Sequence, residues 1–257
     1  MHHTLHHRRL WSLDDLTGAD VLALLQALRQ LKATASRETG QRPLRGRNLA
    51  LLSDGDAATR EGADDPLQQA ARALGAQVSR VHSQGRPATL GDTARLLGRL
   101  YDAVDCRGLD GEAVRQLDRD AGIPVFNDLA HGDHPLGALA ELATLQELAG
   151  QRPLSALRLC YVGDGRSAAG DALLHAAALA GAHLTVVADP GAEPTTPRWT
   201  RLCTLARAHG GTLAAAPGLD RLSAPPDLVF GNGPQGAWRR RENQAYLLQA
   251  VLVSTLA

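Results

Sequence analysis

What most constrains this chain is the alternation, from one end to the other, of short apolar runs with amphipathic stretches. A strand buried on both faces of a parallel sheet reads as a short apolar run, and a helix laid against it repeats its apolar residues three and four apart. In the first half the strand-like runs are 48–52, 77–81, 103–106 and 124–126. Helical patterns lie around and between them: 14–33 behind a Ser12 or Asp14 cap, 66–74, 90–100 and 111–121. Each interval is long enough for one crossover helix. A longer helix over 135–149 carries Leu139, Leu142, Leu145 and Leu148, stops at Gly150 and Pro153, and reads as a bridge. A second series follows: strand 158–162, turn GDGRSAAG, helix 168–180, strand 184–188, a Pro-rich loop over 188–197, helix 198–209, strands near 212–214 and 228–230, and an apolar closing helix over 242–256.

This is the pattern of α/β architecture: two Rossmann-like domains with mainly parallel sheets, joined by the bridging helix. At 257 residues the chain can bury two such cores. Its 27 basic and 27 acidic residues balance, so no global field draws it to nucleic acid or an anionic membrane surface. Lys32 is the only lysine. Cys106, Cys160 and Cys203 are odd in number and far apart, which fits neither a disulfide framework nor a zinc cluster, and a reducing cytoplasm is the expected home. No apolar run is long enough to span a bilayer or to serve as a signal peptide core.

Several motifs carry chemistry only in the right setting. GDGRSAAG follows a strand and opens a helix, so its free amides could receive an anion, but Gly163, Gly165 and Gly170 give GxGxxxxG where a dinucleotide fingerprint needs GxGxxG. A strand-to-helix turn is the plainer reading. DGDAATREG after the first strand offers Thr59 and Arg60 to a phosphate, surrounded by Asp54, Asp56, Glu61, Asp64 and Asp65. His131, Asp133 and His134 cluster in AHGDHPLG, where Pro135 marks a helix entrance; histidines pointing into a cleft are expected there rather than a metal site. The opening HHTLHH pairs His2 with His6 and His3 with His7 at helical spacing, but reads as a frayed tail.

GDTARLLGRLYDAVDCRG and GIPVFNDLAHGDHPLGALAELATLQELAG closely resemble the matching region of the ornithine carbamoyltransferases. LWSLDDLTGADVLALLQALRQLKA, YVGDGRSAAGDALLHAAALAGAHLTVVAD and ENQAYLLQAVLVSTL extend the resemblance, in order, through most of the chain. It implies a carbamoyl-phosphate domain over 1–134, an amino-acid domain over 135–240, and a helix over 241–257 returning to the first domain. It also implies a cytoplasmic homotrimer and a cofactor-free reaction: ornithine attacks carbamoyl phosphate, giving citrulline and phosphate, while preorganised donors stabilise the oxyanion and the departing phosphate. No metal is implied.

Carried over by residue, Arg107 matches the arginine that contacts carbamoyl phosphate, and His134 the histidine of His-Pro-x-Gln that donates to the carbamoyl oxygen. These are the catalytic candidates. Thr59 and Arg60 match the phosphate loop Ser-Thr-Arg-Thr, Ser167 (or Ala168) the ornithine-contacting asparagine, and Asn232 the ornithine-binding aspartate. These are the substrate-binding candidates. The chain departs from the pattern at Ala58 and Glu61 in the phosphate loop, at Gly137 in place of glutamine, and at Gln244 in place of an arginine. Between Gly231 and Glu242 it crosses in about ten residues an interval that in the family holds Ser-Met-Gly and His-Cys-Leu-Pro. The expectation is a carbamoyltransferase relative whose ancestral reaction is impaired or lost, and an ion pair of Glu61 with Arg60 or Arg107 is the observation that would discriminate. The alternatives are a binding or regulatory subunit, alone or mixed with an active paralogue, and an enzyme with a changed substrate.

Overall fold

The computed structural model describes residues 5, 10–35, 42–54, 65–83, 89–188, 196–231 and 237–257. The chain divides into two compact units: Met1–Asp15 with Gln26–His134 and Ala245–Ala257, and Leu16–Leu25 with Pro135–Gln244. Helices α1 (Gly18–Ala35) and α8 (Ala237–Leu256) contribute to both.

The first unit holds β1 (Asn48–Asp54), α2 (Pro66–Ala73), β2 (Gln77–Ser83), α3 (Leu90–Leu100), β3 (Ala103–Arg107), α4 (Gly111–Ala121) and β4 (Val125–Asn127). Its four strands form a parallel sheet in the order β2-β1-β3-β4. β3 is buried along its whole length, as expected of a central parallel strand with both faces covered. On one side Ala50, Leu52, Val104, Cys106 and Val125 pack with Ala94 and Leu97 of α3 and Val114 and Leu117 of α4. Helix starts are chemically marked: Asp65 caps α2 ahead of Pro66, Thr89 caps α3, and Asp110 caps α4, which ends on the left-handed Gly122.

The second unit holds α5 (Gly137–Leu148), β5 (Arg158–Val162), α6 (Ala168–Leu179), β6 (His183–Val187), α7 (Thr196–Ala208), β7 (Thr212–Ala216) and β8 (Leu228–Gly231). These strands form a second parallel sheet, in the order β7-β6-β5-β8. Leu159, Tyr161, Leu184 and Val186 are buried, whereas β7 and β8 are open to solvent at several positions.

The main differences from the sequence reading are at element starts. α1 begins at Gly18 rather than at 14, because Thr17 and Asp20 cap it reciprocally: the Thr17 amide donates to Asp20 Oδ2 at 2.9 Å and the Asp20 amide to Thr17 Oγ1 at 3.2 Å. Ser12 and Asp15 instead fold Leu13–Asp15 into a separate 3-10 turn, with Asp15 Oδ2 accepting from the Ser12 amide at 2.9 Å. α5 starts at Gly137, after Pro135 and Leu136 form a turn. α8 starts at Ala237 rather than 242, and Arg240 on its first turns meets Glu141 of α5 at 3.1 Å. Among the described residues no helix is long and apolar enough to cross a membrane.

Candidate functional site

In open parallel sheets, ligands bind outside the carboxyl ends of the strands where the strand order reverses. In the first sheet that point lies between β1 and β3. Arg107, the last residue of β3, stands there opposite Ser53 of β1. Strand alternation puts Asp105 on the same face as Arg107, and Arg107 Nε donates to Asp105 Oδ2 at 3.0 Å. The rest of the guanidinium faces the N-terminus of α2. There Nη2 donates to Asp65 Oδ1 at 3.3 Å and Nη1 to Asp65 Oδ2, a two-pronged ion pair. Asp65 also accepts from the Gln68 amide at 2.8 Å as the cap of α2, while Asp105 Oδ1 accepts from the Leu129 amide at 3.0 Å. The three side chains are nearly sealed, at 11% (Arg107), 8% (Asp65) and 0% (Asp105) exposure.

The electrostatics follow from this geometry. Burial works against the Arg107 charge, but the bonds and charges of Asp65 and Asp105 outweigh it and hold the guanidinium protonated above its ordinary range. Burial likewise pushes the Asp65 carboxyl up, yet Arg107, the Gln68 amide and Arg80 together bring it below the usual value. Asp105 is different: complete burial dominates and raises it to about 6, against the pull of Arg107 and the Leu129 amide. Cys106 between them is pushed up to about 12 by burial and by Asp105 and Asp118, which leaves an inert thiol.

The segment after β4 carries the second catalytic candidate. Asp128 takes a left-handed conformation (φ 51°) and its amide donates to the Cys106 carbonyl at 2.8 Å; the His131 amide then bonds the Asp128 carbonyl and the His134 amide the His131 carbonyl. These turns fix His134 as a buried residue of the first unit. Burial, with a smaller contribution from His131, lowers its pKa to about 4, so the imidazole is neutral at pH 7. The ring is also hydrogen-bonded to the Leu10 backbone, which works against that lowering. Along the same sheet edge, Ser53 Oγ and His82 Nδ1 lie 3.0 Å apart, and Arg80 donates to Gln68 Oε1 at 2.9 Å.

In the second unit the order reverses between β5 and β8, where the turn after Val162 and the end of β8 at Gly231 lie. Ser167 caps α6: its hydroxyl donates to the Asp164 carbonyl at 2.8 Å and accepts from the Gly170 amide at 3.0 Å. Its one O–H is thus spent within the turn. The glycines of GDGRSAAG answer to local packing, since a Cβ on Gly170 would lie 2.1 Å from the Asp164 carbonyl oxygen.

Thr59, Arg60, Glu61 and Asn232 lie outside the described residues, as do His2, His3, His6 and His7. Among the described residues no group of three His, Cys, Asp or Glu side chains is placed to hold a metal. The sequence reading raised Glu61 as a carboxylate that could pair with Arg60 or Arg107 and counted Asp65 only as a neighbouring acid. One signal pointed to Asp65: an aspartate immediately before a proline that opens a helix is fixed in space as a cap. Asp105 was legible only as the same-face neighbour of Arg107.

A pair of parallel α/β sheets, one bearing a buried arginine at its reversal point beside a helix N-terminus, defines the class as two-sheet α/β proteins. Residues 8–147 match the aspartate/ornithine carbamoyltransferase, carbamoyl-P binding domain. The chain belongs to the aspartate/ornithine carbamoyltransferase family. Among solved structures it is similar to the ornithine carbamoyltransferase from Gloeobacter violaceus, at 26% identity and TM-score 0.71, covering 97% of this chain and 99% of that one. It also shares the fold of the ornithine carbamoyltransferase from Pyrococcus furiosus, at 22% identity and TM-score 0.74, covering 98% of each chain. The catalytic subunit of M. jannaschii aspartate transcarbamoylase has the fold too, at 16% identity and TM-score 0.72, covering 96% of this chain and 97% of that one.

Proposed function

We propose that this protein has lost ornithine carbamoyl transfer as its working reaction and acts as a non-catalytic binding or regulatory subunit. The observation that carries the reading is the clamp of Asp65 and Asp105 on Arg107. The arginine that the family resemblance assigns to carbamoyl phosphate is already neutralised by the protein's own carboxylates. One of these, Asp65, stands at the helix N-terminus that would otherwise receive an anion. A phosphate brought within ~5 Å of a carboxylate at an effective dielectric of ~20 is repelled by roughly 3 kcal/mol per unit charge. That is about a hundredfold in affinity. Lost donors act in the same direction: Gly137 replaces an amide side chain and Ser167 has no free hydroxyl hydrogen. The loss of one oxyanion donor typically costs ~10²–10³ in rate.

The protein is expected to be a cytoplasmic homotrimer that needs no cofactor and does not bind nucleic acid or membrane. A mixed oligomer with an active paralogue is the regulatory form of the same reading. A second reading, a transferase with a changed substrate, is favoured by the persistence of both Arg107 and a buried, neutral His134. One experiment separates them: citrulline formation measured alongside thermal stability with carbamoyl phosphate, phosphate and a bisubstrate phosphonate analogue. No product and no ligand-induced shift in Tm is the expected result. Stabilisation together with citrulline would overturn it, and stabilisation by carbamoyl phosphate without citrulline would favour the changed substrate.

A further inference from the structure

The second unit contains a cavity at the opposite end of the strands from the reversal point. α6 and α7 carry the chain from β5 to β6 and on to β7, stepping outward in one direction. Right-handed crossovers place both helices on one face of the sheet. The return from β7 to β8 steps the other way and therefore crosses the opposite face. Such returns usually carry a helix. Here residues 217–227 make it with one 3-10 turn, Leu219–Arg221.

The side chains beneath this strap are small. Cys160, Thr185 and Ala214 are neighbours across β5, β6 and β7. Small residues under a thin strap leave a half-open pocket of about 350 Å³, bordered by Leu222 and Ser223 of the return. The adjoining row toward the strand amino ends is polar, and consists of Arg158, His183 and Thr212, paired in register and also lining the cavity. His183 Nδ1 lies 2.9 Å from Thr212 Oγ1, which fixes the ring and leaves Nε2 for another partner. Among the described residues no aspartate or glutamate lines the cavity. The nearby Asp227 accepts from the Arg152 guanidinium at 2.8 Å and from the Arg158 backbone amide at 2.8 Å, and its charge also acts on Arg158 without a side-chain hydrogen bond between them. Among the described residues the Arg158 guanidinium makes no hydrogen bond or ion pair.

We infer that this cavity is a binding site for a small monocarboxylate with a short apolar body. The carboxylate lies on Arg158 and His183, and the body enters between Cys160, Thr185 and Ala214. The volume is at the low end of small-molecule pockets, which suits a small ligand. A guanidinium and an imidazole, with no carboxylate among the described lining residues, select the anion over its neutral amide. This site is independent of the Arg107 cluster and of the reading built on it.

The test is calorimetric titration of the full chain at pH 7 with 3-methylbutanoate and with 3-methylbutanamide. Saturable binding of the acid, at least tenfold tighter than the amide, is expected. Arg158→Gln, at an exposed position that leaves the fold intact, weakens it tenfold or more, and Ala214→Leu, which fills the cavity, abolishes it. The absence of saturable acid binding below about 10 mM overturns the inference. So does equal binding of acid and amide, or loss of binding in Arg107→Gln but not in Arg158→Gln, which would place the acid in the first unit.

Discussion

Asp65 caps α2 through Oδ1 and neutralises Arg107 through both carboxylate oxygens. Removing one partner of a buried ion pair is usually costly, about 3–5 kcal/mol, because it leaves the other charge uncompensated. Arg107 keeps Asp105, so Asp65→Asn is expected to lose less, about 2–3 kcal/mol in urea unfolding. The same variant is expected to gain inorganic phosphate binding by tenfold or more in calorimetry, and phosphate should restore part of its stability. An unchanged phosphate affinity would show that Asp65 does not block the anion. The titrating groups give opposite pH signs. His134 is lowered to about 4, so the folded state resists its protonation and stability is lost as pH falls from about 6.5 through 4. Asp105 is raised to about 6, so its folded state favours the proton and stability declines as pH rises through about 4 to 6. Chemical unfolding across pH 4–7 should therefore show a flatter acid limb for His134→Gln, while the stability of Asp105→Asn relative to the parent should improve with rising pH.

At the level of elements, close packing decides more than propensity. α3 and α4 approach so closely that a Cβ on Gly98 would sit 1.9 Å from the Ala121 carbonyl oxygen. Alanine is a better helix former than glycine by up to about 1 kcal/mol, yet Gly98→Ala is expected to destabilise by about 2–3 kcal/mol in urea titration, because the overlap falls on backbone that cannot step aside. A Gly98→Ala variant as stable as the parent would mean that the two helices can part without loss. The helix starts show the same limit of sequence reading. Thr17 with Asp20 is a reciprocal cap visible in the letters, but Ser12 and Asp14 offered a competing start, and only the folded bonds of Asp15 to the Trp11 and Ser12 amides show that this turn closes separately. α8 likewise starts at Ala237, ahead of the apolar run that opens at 242, with Arg240 of its first turns paired to Glu141.

For the whole molecule, the resemblance leads us to expect sedimentation at three times the 27.1 kDa chain mass, and a monomeric species at micromolar concentration would remove the trimer from the proposal. The sequence by itself determined the two series of strands and helices, because a period of two or of 3.6 is imposed by backbone geometry and survives in the order of apolar residues. It also singled out Arg107 and His134 as candidates, because their flanking motifs are contiguous in the chain. It could not determine what Arg107 meets. Asp65 lies 42 positions away, and the two come together only because parallel pairing of β1 with β3 brings the end of β3 beside the N-terminus of α2. Nor could it tell that the Ser167 hydroxyl is consumed by its own turn, or that the short return over the second sheet leaves a cavity above small side chains. Those outcomes depend on crossover hand, strand register and the volume between elements, which only the folded chain fixes.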